Sequence, residues 1–160
     1  MCLLDAEDTA IKYCLKLRNY PYKEQVSMSD LPPDSMTETP INYDRLMQAN
    51  LTRVFNERDP QRRIEAIREL YTEAPVLYEP HAAISGHAGI SDAVSKLHSS
   101  FPPHFRFSSI SPADGHHNVG RLNWCSGPSH GPAAITGLDI AHFEKGRIQS
   151  LYVFLNPHES

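Results

Sequence analysis

Phe101-Pro102-Pro103-His104-Phe105-Arg106-Phe107-Ser108-Ser109-Ile110 (residues 101–110) is where the chain changes period. Before it, apolar residues recur every three or four positions; after it, they tend to alternate. Two consecutive prolines cannot continue a helix, so the helical half ends there and Phe105 and Phe107 open the first strand of a sheet. Working upstream, Gly86 to Phe101 reads as a helix carrying Ile90, Val94 and Leu97, and Val76 to Tyr78 as a short strand stopped by Pro80. Asp59-Pro60 has the form of an N-cap with proline at the first helical position, opening a helix through Ile64, Ile67, Leu70 and Tyr71. Tyr43 to Glu57 is a further amphipathic helix, with Leu46, Met47, Leu51, Val54 and Phe55 on its apolar face. Downstream, strands are expected at about 118–125, at Ala133 to Phe143 and at Arg147 to Leu155. The turn-rich Ser126 to Pro132 and the Lys145-Gly146 pair separate them. Helices first and an antiparallel meander after is an α+β domain.

Residues 1–40 differ in composition. A short helix at about Ala6 to Leu17 is followed by Pro21, Pro32, Pro33 and Pro40 among serines and aspartates, the make-up of a tether. The expected division is an N-terminal extension over 1–40, partly disordered or laid on the surface, and one domain over 41–160. The 160 residues are 40% hydrophobic and 21% charged, enough for a real core. The formal charge of −4, with no basic cluster, argues against nucleic acid as a partner. No apolar run approaches the ~20 residues a bilayer crossing requires, and the start lacks the features of a secretory signal, so a cytoplasmic protein without membrane contact is expected. Three cysteines, Cys2, Cys14 and Cys125, without paired spacing fit reduced thiols better than disulfides or zinc.

Two carboxylates occupy positions where a soluble protein rarely puts them. Glu79 closes the apolar run Pro75-Val76-Leu77-Tyr78, and Asp139 lies inside the strand Ala133 to Phe143. Each is either well satisfied or functional, because a carboxylate on an apolar wall costs several kcal/mol unless paired, hydrogen-bonded or protonated. The bland alternatives are a Glu79 that caps a helix or pairs with an arginine, and an Asp139 that pairs with Arg121 or takes a backbone donor. Alternation puts Asp139 on one face with Gly137 and Ala141, whose small size would leave room for a ligand.

The element order, together with Ile64-Glu65-Ala66-Ile67, Leu70-Tyr71-Thr72-Glu73, Tyr78-Glu79-Pro80 and Ser85-Gly86-His87-Ala88-Gly89-Ile90, resembles the nuclear transport factor 2-like superfamily. That superfamily includes ketosteroid isomerase and the SnoaL-type polyketide cyclases. The resemblance implies a cone-shaped barrel, in which a strongly bent antiparallel sheet wraps around three helices. It also implies a general base at Glu79, standing as Glu where the isomerase has Asp, and a protonated carboxyl at Asp139 that holds a developing oxyanion; ketosteroid isomerase is the standard case of such a carboxyl. The tyrosine those isomerases carry in the first helix is missing from Asn50-Leu51-Thr52-Arg53-Val54-Phe55. Asp114-Gly115-His116-His117, leading into Arg121 and Trp124, is instead similar to SnoaL-like relatives.

Further candidates follow from the alternation. His116 would share a strand face with Leu122 and Trp124, and His117 with Arg121 and Asn123, so at most one of the pair can enter a cavity and act as an acid or base. Leu122, Trp124, Leu151, Val153 and Leu155 are candidate pocket walls, Tyr78 and Tyr71 candidate hydroxyl donors, and Arg53 and Arg121 candidate cationic partners of the carboxylates or the substrate. No metal is expected, since no third ligand stands at useful spacing among the nine histidines. Tyr152 and Phe154 would fall on the outer sheet face and suggest a homodimer. The expected function is a cofactor-independent isomerase or cyclase. It would act by carboxylate acid–base proton transfer on a small apolar oxygenated metabolite, as in natural-product biosynthesis. A dehydratase or epoxide hydrolase on the same scaffold is the alternative enzyme, and a small-molecule-binding or dimerisation module the alternative of a different class.

Overall fold

The structure, a computed structural model, describes residues 40–128 and 130–156; the expected extension and its helix at about 6–17 lie outside the described residues. Three helices precede most of the sheet. Helix α1 (Tyr43–Asn50) starts where the Asn42 side chain accepts a hydrogen bond from the Arg45 N–H (2.9 Å). It does not stop at Asn50. The chain widens into a π-helical turn, Leu51–Phe55, closed by the Asn56 N–H on the Leu51 carbonyl (3.0 Å). Helix α2 (Pro60–Leu70) begins as its sequence predicts, with the Asp59 carboxylate accepting from the N–H groups of Gln61 and Arg62 (2.8 and 3.0 Å). Those two bonds hold the Asp59 carboxyl below its usual range. Helix α3 spans Gly86–Ser100.

Arg63 joins α2 to α3. Only 1% exposed, it donates to the Ser91 hydroxyl (3.1 Å), the Glu57 carbonyl (2.7 Å) and the Ser95 hydroxyl, and burial lowers its pKa. A buried guanidinium is tolerated because its donors are met. Asn56 plays the same part between helix and sheet. Its side chain donates to the Phe107 carbonyl (2.7 Å) and accepts from the Phe107 N–H (2.8 Å), which fastens the π turn to a strand.

The sheet has seven strands: β1 (Tyr71–Glu79), β2 (Ala82–Ser85), β3 (Phe105–Ser109), β4 (Asp114–His116), β5 (Val119–Pro128), β6 (Ile135–Glu144) and β7 (Arg147–Leu155). Their order is β2-β1-β7-β6-β5-β3, with β4 also on β5. Two corrections to the expected architecture follow. The sheet is mixed, because β1 and β7 run parallel, with Leu77 opposite Leu151 and Tyr78 opposite Tyr152. It is also curved but open, ending at β2 and β3 instead of closing as a barrel. Neither property is written in alternation, since a parallel pair joins strands separated by a long crossover and leaves no local turn signal.

Three smaller differences have local causes. β1 starts at Tyr71, the residue expected to end α2. β5 runs through Ser126 to Pro128, which read as turn, because β3 pairs with it there (Phe107 opposite Ser126, Phe105 opposite Pro128). The short strands β2 and β4 are hairpin arms too brief to show a period. The core lies between helices and sheet: Met47, Val54, Ile67, Leu77, Ile90, Leu122, Phe143, Ile148 and Leu151 are buried there. No helix among the described residues is long and apolar enough to cross a membrane.

Candidate active site

A cavity of about 310 Å³ opens between the π turn, α3 and the inner face of the sheet. Apolar side chains make most of its wall. Leu51 and Phe55 come from the π turn, Leu97 from α3, Phe101 from the residue after it, and Phe107, Ile135, Val153 and Leu155 from β3, β6 and β7. Phe107 touches Phe55, Phe101 and Trp124 edge-on, with centroids 6.2, 6.5 and 5.4 Å apart. Among the described residues, the titratable groups lining this cavity are three: Glu79, His81 and Asp139.

Asp139 is 3% exposed. On β6 its neighbours on the inner face are Gly137 and Ala141, as alternation predicts, yet the space over Gly137 is not left for a ligand. The Trp124 indole fills it, lying across β6 so that its Nε1–H donates to Asp139 Oδ1 at 2.7 Å. Gly137 faces Trp124 directly in the β5–β6 register, and Asp139 faces Leu122 one step along. Burial pushes the Asp139 carboxyl up to about 7, while the Trp124 hydrogen bond pulls the other way. This acid therefore changes protonation state near neutrality. Among the described residues neither bland alternative holds, since the partner of Asp139 is an indole and Arg121 pairs with Asp114. Behind it, the buried Tyr71 hydroxyl donates to Asn50 Oδ1 (2.7 Å), and burial, then the Asp139 charge, raises the Tyr71 pKa.

Gly137 is thus required by a close approach. A Cβ there would run into the Trp124 ring and come within 2.6 Å of the Phe154 carbonyl oxygen, which as backbone cannot step aside. Gly137→Ala is expected to cost about 1–3 kcal/mol and to dislodge the indole. Thermal unfolding, read with the near-ultraviolet signal of Trp124, checks both at once; an unaltered melting temperature would refute this account.

Glu79 ends β1 at the exposed mouth of the cavity, directly before the two-residue Pro80–His81 connection to β2. Among the described residues it caps no helix; Gly86 opens α3 with Ser85 before it. His81 was missed by sequence reasoning, although its place two residues after Glu79, in the same turn, was an available signal.

The structure does not bring the other candidates to the cavity. His116 and His117 sit with their Nδ1 atoms 3.0 Å apart on the exposed β4–β5 hairpin. The alternation that would have aimed one of them inward is broken, because His117 and Asn118 both have positive φ (49° and 63°) and reverse the chain. Arg121 pairs with Asp114 across that hairpin (2.8 and 3.2 Å), each reinforcing the other's charge. Arg53 points out of the π turn to Glu69. Leu122 and Leu151 are core residues, and Tyr78 stacks on Tyr152 on the far side of the sheet (4.6 Å). Of the residues singled out from sequence as site candidates, Glu79, Asp139, Trp124, Val153 and Leu155 meet at one cavity. No group of three or more His, Cys, Asp or Glu side chains among the described residues is arranged to hold a metal ion.

Comparison with known proteins agrees with this fold. Residues 49–151 match the SnoaL-like domain family. An Agrobacterium tumefaciens protein, named as a candidate isomerase of the SnoaL-like family, is 26% identical, with a TM-score of 0.66 over 72% of this chain and 97% of that one. A Kribbella flavida structure named as a candidate ketosteroid isomerase (11% identity, TM-score 0.55, 74% of this chain and 80% of that one) shares the fold. So does a Jannaschia structure named as a candidate SnoaL-like polyketide cyclase (11%, 0.55, 74% and 90%). No curated protein sequence matches the chain.

Proposed function

The chain belongs to the SnoaL-like domain family, and from that membership and the cavity we propose that it is an isomerase or cyclase working by carboxylate acid–base chemistry on a small, apolar, oxygen-bearing molecule. The observation that carries this is the Asp139 carboxyl, buried at the apolar floor and titrating near neutrality. A buried acid with such a shift, in a cleft that also holds a second carboxylate, is a functional-site signature.

The chemistry is a pair of proton transfers. Glu79, as carboxylate, takes a proton from the carbon next to a carbonyl, and the electron pair left behind moves onto the carbonyl oxygen. Protonated Asp139 meets that oxygen with its O–H and stabilises the charge as it forms. Glu79 then returns the proton to another carbon, which gives the isomer; alternatively the enolate carbon attacks a second carbonyl of the same molecule, closing the ring, and the proton on Glu79 goes to the alkoxide formed there. Neither route needs a cofactor. The apolar walls fit an uncharged substrate, and two carboxyl groups on a cavity wall that carries no lysine or arginine among the described residues disfavour an anionic one.

1-Tetralone in D2O tests this, since exchange at its α-carbon, followed by proton NMR, reports base and oxyanion donor together. Wild-type protein is expected to accelerate exchange well beyond buffer. Exchange that is just as fast with Glu79→Gln and with Asp139→Asn would end the proposal.

The same reading extends to assembly. Tyr78 and Tyr152 stack on the outer sheet face beside exposed Phe154, an apolar patch that a second copy would cover, so we propose a homodimer through this face. Tyr152→Glu is expected to shift the protein from dimer to monomer in light scattering; a wild type that is monomeric at high concentration would rule the dimer out.

A further inference from the structure

We propose that Trp124 is a positioning residue that fixes which oxygen of Asp139 carries the proton, so that the acid presents its O–H to the cavity. This rests on the reading of Asp139 as the proton-bearing group and adds to it the device that aims the proton. An indole N–H only donates. The oxygen it meets, Oδ1, must therefore accept whether the carboxyl is charged or neutral, and a proton on the carboxyl goes to Oδ2. A free carboxyl has two equivalent oxygens; this one does not.

The arrangement is built from both sides. Gly137, directly opposite Trp124, lets the indole lie flat against β6, where any side chain would push it away. The Phe107 ring meets the indole edge-on at 5.4 Å from β3. Around the carboxyl, β5 presents Leu122 and β7 presents Val153, neither of which can hydrogen-bond by its side chain. The Tyr71 hydroxyl on β1 is committed to Asn50. Glu79 and His81, the other titratable groups on the cavity, stand at its exposed mouth. Among the described residues, Trp124 is thus the group that breaks the symmetry of the Asp139 carboxyl.

Trp124 is the chain's single tryptophan, which allows a replacement closer in shape than any natural residue. Growth of a tryptophan auxotroph on 3-benzothienylalanine exchanges the indole N–H for sulfur and keeps the ring system in place. Trp124→Phe is the second variant. Two readouts are taken: the midpoint of the Asp139 carboxyl carbon in 13C NMR, assigned with Asp139→Asn, and the relative affinity for 1-tetralone over tetralin at pH 6.

Loss of the N–H removes a bond that favours the carboxylate, so the midpoint is expected to rise by about one pH unit. The preference for the ketone is expected to fall about tenfold as the O–H loses its fixed direction. A midpoint and a preference that both stay at wild-type values would overturn the role of Trp124. If wild type itself shows no preference for tetralone over tetralin, the proposed carbonyl chemistry fails. The NMR midpoint still decides whether Trp124 controls the acid.

Discussion

Glu79→Gln lowers the rate of α-proton exchange in 1-tetralone by about 10²–10⁴-fold, the usual contribution of a positioned general base, while the melting temperature stays where it was. Both halves of this expectation come from where the residue sits. No hydrogen bond or ion pair of a described residue engages the Glu79 side chain, and it is exposed, so an isosteric amide disturbs nothing that holds the fold. What the amide cannot do is accept a proton from carbon. The pairing of lost turnover with retained stability separates a base from a structural acid. Rates and melting curves on the same preparation provide the check, and a drop in both together would point to damage instead of chemistry.

Asp139→Asn has the opposite signature, a gain of stability that depends on pH. The folded protein keeps the Asp139 proton up to about pH 7, whereas the unfolded chain releases it near the ordinary carboxyl value of about 4. Between those limits the folded state binds more protons than the unfolded one, so stability falls as pH rises. The native state carries no penalty from this group below about pH 4 and the full one above about 7, on the order of 4 kcal/mol. Asparagine has no proton to lose and can still accept the Trp124 hydrogen bond. The melting temperature of the variant relative to wild type should therefore climb between pH 5 and pH 8 by an amount on the order of 10 °C, from about 3 kcal/mol of linkage. A difference that stays flat over that interval would mean that Asp139 ionises as an ordinary surface acid. The same substitution is expected to slow exchange, so the variant should be more stable and less active, as expected where an active site is strained by its function.

Much of this was legible in the chain because it is carried by short-range signals. The three helices follow from apolar spacing and from caps such as Asp59-Pro60, and the β6–β7 turn from Lys145-Gly146, both of which have positive φ. Glu79 and Asp139 stood out because a carboxylate in an apolar run is a local anomaly, and both reach the cavity. What stayed hidden depended on contacts between distant residues. Alternation carried His116 and His117 along an imagined strand, and only the left-handed pair His117–Asn118 shows that the chain turns back there. Gly137 gave the right face and the wrong occupant, since small residues announce space without saying what fills it; the indole of Trp124 arrives from the neighbouring strand. Arg121 was a plausible partner for Asp139 until the hairpin register set it opposite Asp114. The aromatic wall draws on the π turn, on Phe101 just after α3 and on β3, and no single window of sequence contains it.

The parallel pairing of β1 with β7 has a consequence for how the protein acquires its shape. Leu77 and Tyr78 find their partners only at Leu151 and Tyr152, after the rest of the domain has been made. Contacts of such long sequence separation carry the largest loop-closure cost and tend to slow folding. On a ribosome, β1 would emerge with only β2 beside it and wait with its other edge open through the synthesis of α3 and five more strands. The cavity, which takes Val153 and Leu155 from β7 for its wall, would be among the last features to form.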